Sequence, residues 1–290
     1  MQAEGAATRI FQDLHNGEQM KLPDVAADAT ALRQPPQIDG MRSHGRFFVI
    51  MAALMLLINL VGFAPSYYLK VFFDRPELPL RTHIHGPLFT AWFILLLAQT
   101  SLIARRRIDV HRCLGILGVV LATAMVATGL VMIYFRALEY QDPGRSLAGT
   151  AQLVWADSAL LLSFVAFVGL GVRFRHRAEA HKRLMLLASL SMMPLSLGRY
   201  LQIWIPMLLR MDEAAIASAA ANGRSVIVIA GVLCSFVLLL LAPVFYDLFV
   251  HRRVHPVNVW GMPLFFAFLL FCVFVVPSTS FGQALILSLG

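Results

Sequence analysis

The sequence predicts an all-α protein, a polytopic bundle of about seven transmembrane helices. Composition is the first reason. Of the 290 residues, 59% are hydrophobic and 14% are charged, with mean hydropathy +0.72; a soluble domain is about one quarter charged. The second reason is a series of apolar runs near the length of about 20 residues that a helix needs to cross hydrocarbon. They cover 47–67, 86–104, 113–135, 151–172, 184–208, 225–249 and 257–277. The third is the charge of the connections. MRSHGR, ARRRIDVHR, RFRHRAEAHKR and HRRVH are densely basic, whereas LKVFFDRPELPLR, RALEYQDPGR and RMDEAAIASAAANGR mix acids with bases.

The two sets of connections alternate, as the positive-inside rule expects of a chain that crosses at every run. The basic set is then cytoplasmic, with the N-terminus on that side and the C-terminus outside. Residues 1–42 read as a cytoplasmic, mostly disordered tail with one short helix around TRIFQDLHNGEQM, and 43–290 as the transmembrane domain. The tail lacks a short apolar core with a small-residue cleavage site, so no signal peptide is expected. The net charge of +8 is spread over short connections. It therefore reads as a topology signal, with the lipid bilayer as partner and no nucleic acid. Cys113, Cys234 and Cys272 form no C-x-x-C pair, so neither a disulfide framework nor a thiolate zinc site is expected.

Helix 2 is expected to begin near Gly86, because Pro87 suits a first turn. Pro194 is a candidate kink in span 5. The last run is interrupted by Pro263 and Pro277. The small residues of span 3, among them Gly115, Gly118 and Gly129, permit close helix packing. Met185, Met192 and Met193 read as core or lipid-facing filler.

One short pattern occurs twice. Asp109-Val110-His111-Arg112-Cys113-Leu114 aligns with Glu179-Ala180-His181-Lys182-Arg183-Leu184. Each copy closes a basic connection and opens a span. This predicts a two-helix repeat, spans 2–3 and 4–5, forming a four-helix core. His111 and His181 then lie at one membrane level on diagonal helices. Two neutral imidazoles from facing helices are a typical axial pair for b-type haem. A helix N-terminus disfavours protonated histidine, and the flanking arginines suit propionates. The competing reading is interfacial: an acid in the first turn, a base for topology and a histidine at the lipid surface. His44 and His255 occupy similar places without the full pattern.

The other half of the bundle carries polar residues as well. His83 and His85 in RTHIHGPLF precede the expected helix start, where an extended segment aims both at one point. They can bind a metal, ligate a second haem or anchor the interface. Asp157 and Arg199 each lie sixteen residues from a basic boundary, Arg173 and Arg183, about 24 Å by helical rise. A charge in lipid costs at least about 2.5–3.5 kcal/mol unless paired. An Asp157–Arg199 ion pair is therefore expected, with His85 and Gln202 in the same polar cluster. It serves either as a helix clamp or as a polar site. Gln99 lies nearer the histidine level.

The order H-x-H-G, W, Q, H-R-x-L-G, D, H-K-R-L-M and R, from His83 to Arg199, resembles a group of uncharacterised bacterial integral membrane proteins. It also resembles a bacterial family of unknown function with an H-R-x-L-G helix start, a second H-R/K-x-x-M start and a later arginine, here His111-Arg112, Leu114-Gly115, His181-Lys182, Met185 and Arg199. The resemblance spans about 120 residues and implies membership in a bacterial family of unknown function; with the charge of the connections, the expected location is the bacterial inner membrane with a periplasmic C-terminus. More distantly, the chain is similar to four-helix, two-haem b-type cytochromes that act as transmembrane ascorbate or ferric reductases. That similarity implies His83 or His85 as the first ligand, His111 as the second and His181 as the fourth. The third has no counterpart, since span 4 carries Trp155 and Asp157 but no histidine.

Three functions follow as expectations. One is a haem b electron-transfer protein using His111 and His181. Another is a non-redox membrane protein, a transporter or an accessory subunit of a larger complex, built on Asp157 and Arg199. The third is a metalloenzyme at His83 and His85, which lacks the further carboxylates and histidines such a centre needs.

Overall fold

The computed structural model describes residues 38–73, 76–142, 144–204, 210 and 224–289. The short helix expected in TRIFQDLHNGEQM lies outside them. Among the described residues, seven helical segments are long and apolar enough to cross a membrane: Gly45–Tyr68, Leu80–Ala104, Ile108–Gln141, Leu147–Arg173, Ala178–Trp204, Ala230–His251 and Pro256–Ser278. They are called spans 1 to 7 below. The chain is thus an all-helical, polytopic membrane protein, as its apolar runs require.

Span 5 is the hub. In its most apolar stretch 59% of residues are buried, against 17% in span 3, and its hydropathy, 1.3, is the lowest of the seven. The two facts have one cause. A helix shielded from lipid by its neighbours does not need an apolar surface all round, and it can hold polar groups that find partners inside the bundle. Ser189, Ser191 and Ser196 are fully buried on it. The Trp92 indole of span 2 donates to Ser189 Oγ at 3.0 Å, and Ser196 Oγ donates to Asn59 Oδ1 of span 1 at 3.3 Å. Gly62 lets span 1 close on span 5: a Cβ there would stand 2.8 Å from the Ser196 carbonyl oxygen.

Span 5 breaks at Met192, between the helices Ala178–Ser191 and Met193–Arg199, with Pro194 in the first turn of the second. Proline supplies no N–H to the turn before it, and the helix restarts there. Span 4 packs along both span 3 and span 5, and span 2 along span 3. Gly129 of span 3 meets the Leu161 side chain of span 4, 3.1 Å from an ideal Cβ, while Gly115 faces open space.

Two sequence expectations are corrected. Helix 2 starts at Leu80 behind Pro79, six residues before Gly86, and Pro87 lies inside it. The N–H groups of Thr82 and His83 already bond to the Pro79 carbonyl, so the earlier proline sets the boundary. At the other end, span 7 tolerates Pro263 inside its helix and closes at Pro277. A further helix, Ser280–Leu287, follows it. Thr279 caps this helix by accepting from the Gly282 N–H at 3.0 Å. The Gly282 carbonyl accepts from the Trp155 indole at 3.1 Å. Ile286 is fully buried in a small cluster with Ala137, Ala151 and Val154.

Candidate functional site

The short basic connections 105–107, 174–177 and 252–255 mark one end of the bundle, here the basic face. Spans 3 and 5 start there in the same way. The His111 N–H bonds to the Arg107 carbonyl at 3.1 Å, and the His181 N–H to the Arg177 carbonyl at 2.9 Å. Each histidine thus stands four residues beyond an arginine, in the first turn of its helix, with Asp109 or Glu179 beside it.

The two rings meet. Their centres are 6.3 Å apart and their planes are inclined at 80°. His181 Nδ1 lies 2.8 Å from the Gly171 carbonyl oxygen of span 4. A carbonyl only accepts, so it is Nδ1 that donates. Gly171 is itself tightly packed, with Met185 Sδ 2.8 Å from an ideal Cβ, which fixes the carbonyl that orients the ring. His111 Nδ1 is buried and has no hydrogen-bond partner. The Gln99 side-chain oxygen is also buried without a partner. Two half-buried imidazoles thus meet at the basic face, one held by a carbonyl and one with an unpartnered ring nitrogen.

His83 and His85 do not form such a pair. Because helix 2 begins at Leu80, both lie within it, and residues two apart point about 200° apart around a helix. His83 is exposed beside the Tyr67 ring, with centres 5.9 Å apart. His85 turns inward, its Nδ1 3.0 Å from Thr128 Oγ1 of span 3. Among the described residues, no group of three or more His, Cys, Asp or Glu side chains is placed to hold a metal.

Asp157 finds a different partner from the expected one. Arg136 Nε donates to its Oδ2 at 2.7 Å. Arg136 also lies 3.8 Å from Glu139, which lies 3.6 Å from Arg145. Counting depth from the basic boundary paired Asp157 with Arg199 on the next span and left Arg136 in a loop. Helix 3 runs on to Leu138, which carries Arg136 to the level of Asp157 on the neighbouring span. The Arg199 guanidinium sits over the Phe63 ring, 5.5 Å from its centre, and its charge still acts on Asp157 through space. Gln202 is exposed, and His85 bonds to Thr128, so the expected four-residue cluster is rearranged into an Arg136–Asp157–Glu139–Arg145 network.

A further cluster was missed in the sequence. Arg183 and Asp247 are almost wholly buried, at 2% and 0% exposure, and tie span 5 to span 6. Arg183 Nε donates to both carboxylate oxygens at 3.1 and 3.2 Å, and Nη2 also donates to Oδ1. Nη1 donates to the Glu179 carbonyl at 2.9 Å and pairs with the Glu179 carboxylate. Asp247 Oδ2 accepts from the His255 N–H at 3.0 Å and from Asn258 Nδ2 at 2.8 Å, which brings in span 7. A buried ion pair is tolerable when its remaining valences are filled, as here. The signal was present: Asp247 is an acid inside the sixth apolar run. Next to it, His255 caps span 7, its Nδ1 accepting from the Val257 N–H at 3.2 Å. Burial holds its pKa below the ordinary 6.5, and the Arg183 charge lowers it further.

No family model, no curated protein and no solved structure matches this chain.

Proposed function

We propose that the chain is a bacterial inner-membrane electron-transfer protein that holds one b-type haem between His111 and His181. In this reading spans 2 to 5 are a four-helix core made of a two-helix repeat. The basic face is cytoplasmic, the C-terminus is periplasmic, and the chain belongs with the bacterial H-R-x-L-G proteins it resembles.

The observation that carries the reading is the geometry of the pair. Two imidazoles that approach from neighbouring helices would be able to hold one metal-centred group between them. The observed separation is 6.3 Å. Metal-bound histidines usually donate their second ring N–H to a carbonyl or carboxylate, and His181 does so to Gly171. The unpartnered His111 Nδ1 and the open space above Gly115 also fit a bound group. A haem there would supply one-electron chemistry. The protein holds the His181 ring through Gly171, presents the His111 ring from the first turn of span 3, and offers the exposed Arg107 and Arg112 as charge for propionates.

The test is a dithionite-reduced minus oxidised spectrum of purified protein expressed with added haem. A Soret shift and an α band are expected, and His111→Ala and His181→Ala should each remove them. A flat spectrum in the wild-type protein sinks the reading.

A second reading is favoured by the Arg136–Asp157–Glu139–Arg145 network. Of these, Arg136, Glu139 and Asp157 are half-buried charges inside spans 3 and 4, and such charges commonly mark substrate or ion pathways. A non-redox transporter or accessory subunit would use them, and a flat spectrum would move the weight there.

A further inference from the structure

A groove of about 1210 Å³ lies between spans 4, 5 and 7, bordered by Leu170, Phe174 and Arg177 on one side and by His255, Trp260 and Leu264 on the other. It belongs neither to the histidine pair nor to the Asp157 network. Its walls are almost wholly apolar along their length, from Pro256 at the basic face to Phe268. The helical rise from Pro256 to Phe268 is about 18 Å, somewhat more than half of a bilayer core about 30 Å thick. The groove therefore spans one leaflet. Trp260 and Leu264 line it with 76% and 73% of their surface uncovered by protein.

The polar end has one sign of free charge. Glu179 borders the groove, but Lys182 and Arg183 neutralise it. Arg173, Arg175 and Arg177 are exposed at the same end, and among the described residues they form no ion pair with a carboxylate. Two of them are positioned by a ring of the groove wall: the Arg173 and Arg177 guanidiniums lie 5.9 and 5.6 Å from the centre of Phe174. An apolar slot one leaflet long, ending at the Arg177 guanidinium with Arg173 on the ring of the same Phe174, matches an acyl chain with a phosphate at its head. Basic pockets between transmembrane helices bind anionic headgroups for this reason.

We propose that this groove binds an anionic phospholipid of the leaflet bordering the basic face, its acyl chain along Trp260 and Leu264 and its phosphate at Arg173 and Arg177. Native mass spectrometry of the full chain, released from bilayers of equal phosphatidylglycerol and phosphatidylcholine, tests it. Phosphatidylglycerol should be retained preferentially. Arg173→Gln and Arg177→Gln should each cut that preference about fivefold, the worth of one cation near an anionic surface. Leu264→Trp should expel the lipid by filling the slot. All three positions are exposed, so the substitutions leave the core intact, and a melting curve verifies this. Arg105→Gln removes the same charge from the same face outside the groove and should leave the preference unchanged. The proposal is overturned if Arg105→Gln lowers the preference as much as Arg177→Gln does. It is equally overturned if Leu264→Trp leaves retention unchanged, or if phosphatidylcholine is held as well as phosphatidylglycerol.

Discussion

The two copies of the acid-x-His-base pattern start helices in the same register and end in opposite surroundings. At span 3 the flanking residues Asp109, Arg112 and Cys113 are exposed, on the helix with the smallest buried share. At span 5 the counterpart of Cys113 is Arg183, sealed against Asp247 and Glu179 inside the bundle, on the helix with the largest share. One six-residue pattern thus serves both a lipid-facing helix and the central one. What differs is the number of neighbours: span 5 is enclosed by spans 1, 2, 4, 6 and 7, whereas span 3 keeps a broad face toward lipid. The lesson is that the histidines are equivalent by position while their supports are not. His181 is braced by Gly171 and the buried clamp, whereas His111 stands on its helix turn beside the facing ring and the Gln99 backbone, with its Nδ1 unpartnered.

That contrast can be broken at its strongest point first. Asp247→Ala leaves the Arg183 guanidinium buried without its main counter-charge. It should cost about 3–5 kcal/mol of stability in detergent unfolding, whereas Cys113→Ala at the matching position of the other copy should stay within about 0.5 kcal/mol. Equal losses would mean that the two starts are supported alike.

An intermediate effect is expected where span 3 does hold a neighbour by charge. A double-mutant cycle on Arg136→Gln and Asp157→Asn should give a coupling of about 0.5–2 kcal/mol, in the range found between transmembrane helices. The same cycle with Arg199→Gln in place of Arg136→Gln should give less. The reverse order would restore the sequence-based pairing of Asp157 with Arg199.

The smallest effect concerns how span 7 starts. Spans 3 and 5 have no side-chain cap at Arg107 and Arg177, but span 7 is capped by neutral His255. The folded-state pKa of His255 lies below 6.5. Between the two values the unfolded chain binds more protons, so stability rises with pH. The cap's contribution is present above about pH 6.5 and is lost as pH falls from there through the depressed folded value. Melting curves should show a drop of up to about 1 kcal/mol across that window. His255→Asn retains a capping oxygen and removes the titration, so its melting temperature should lack this component of the pH slope. An unchanged slope in that variant would place the acid sensitivity elsewhere.

Much of the architecture was legible in the chain because hydrocarbon imposes a strict local rule. A crossing helix must be apolar over about 20 residues, whatever surrounds it. The break near Pro194 was legible for an equally local reason. Of the polar sites, the meeting of His111 and His181 could be anticipated, since a repeated helix start places both at one depth. The helix 2 boundary was misread because two prolines, Pro79 and Pro87, compete for one role, and residues eight apart cannot both start the same helix. The Asp157 partner was misread because helix 3 outlasts its apolar run by several residues. Arg183 was read as a topology signal, although its next contact lies 64 residues away at Asp247.

The sequence by itself determined which segments are apolar enough to cross and where the basic face lies. These follow from transfer free energy and helical rise, which each segment obeys alone. Only the tertiary structure decided which helix is central, which arginine meets which acid, and which way His83, His85, His111 and His181 turn. Those depend on how helices rotate and pack against one another, and side-chain partners across a bundle are set by neighbours that no single segment encodes.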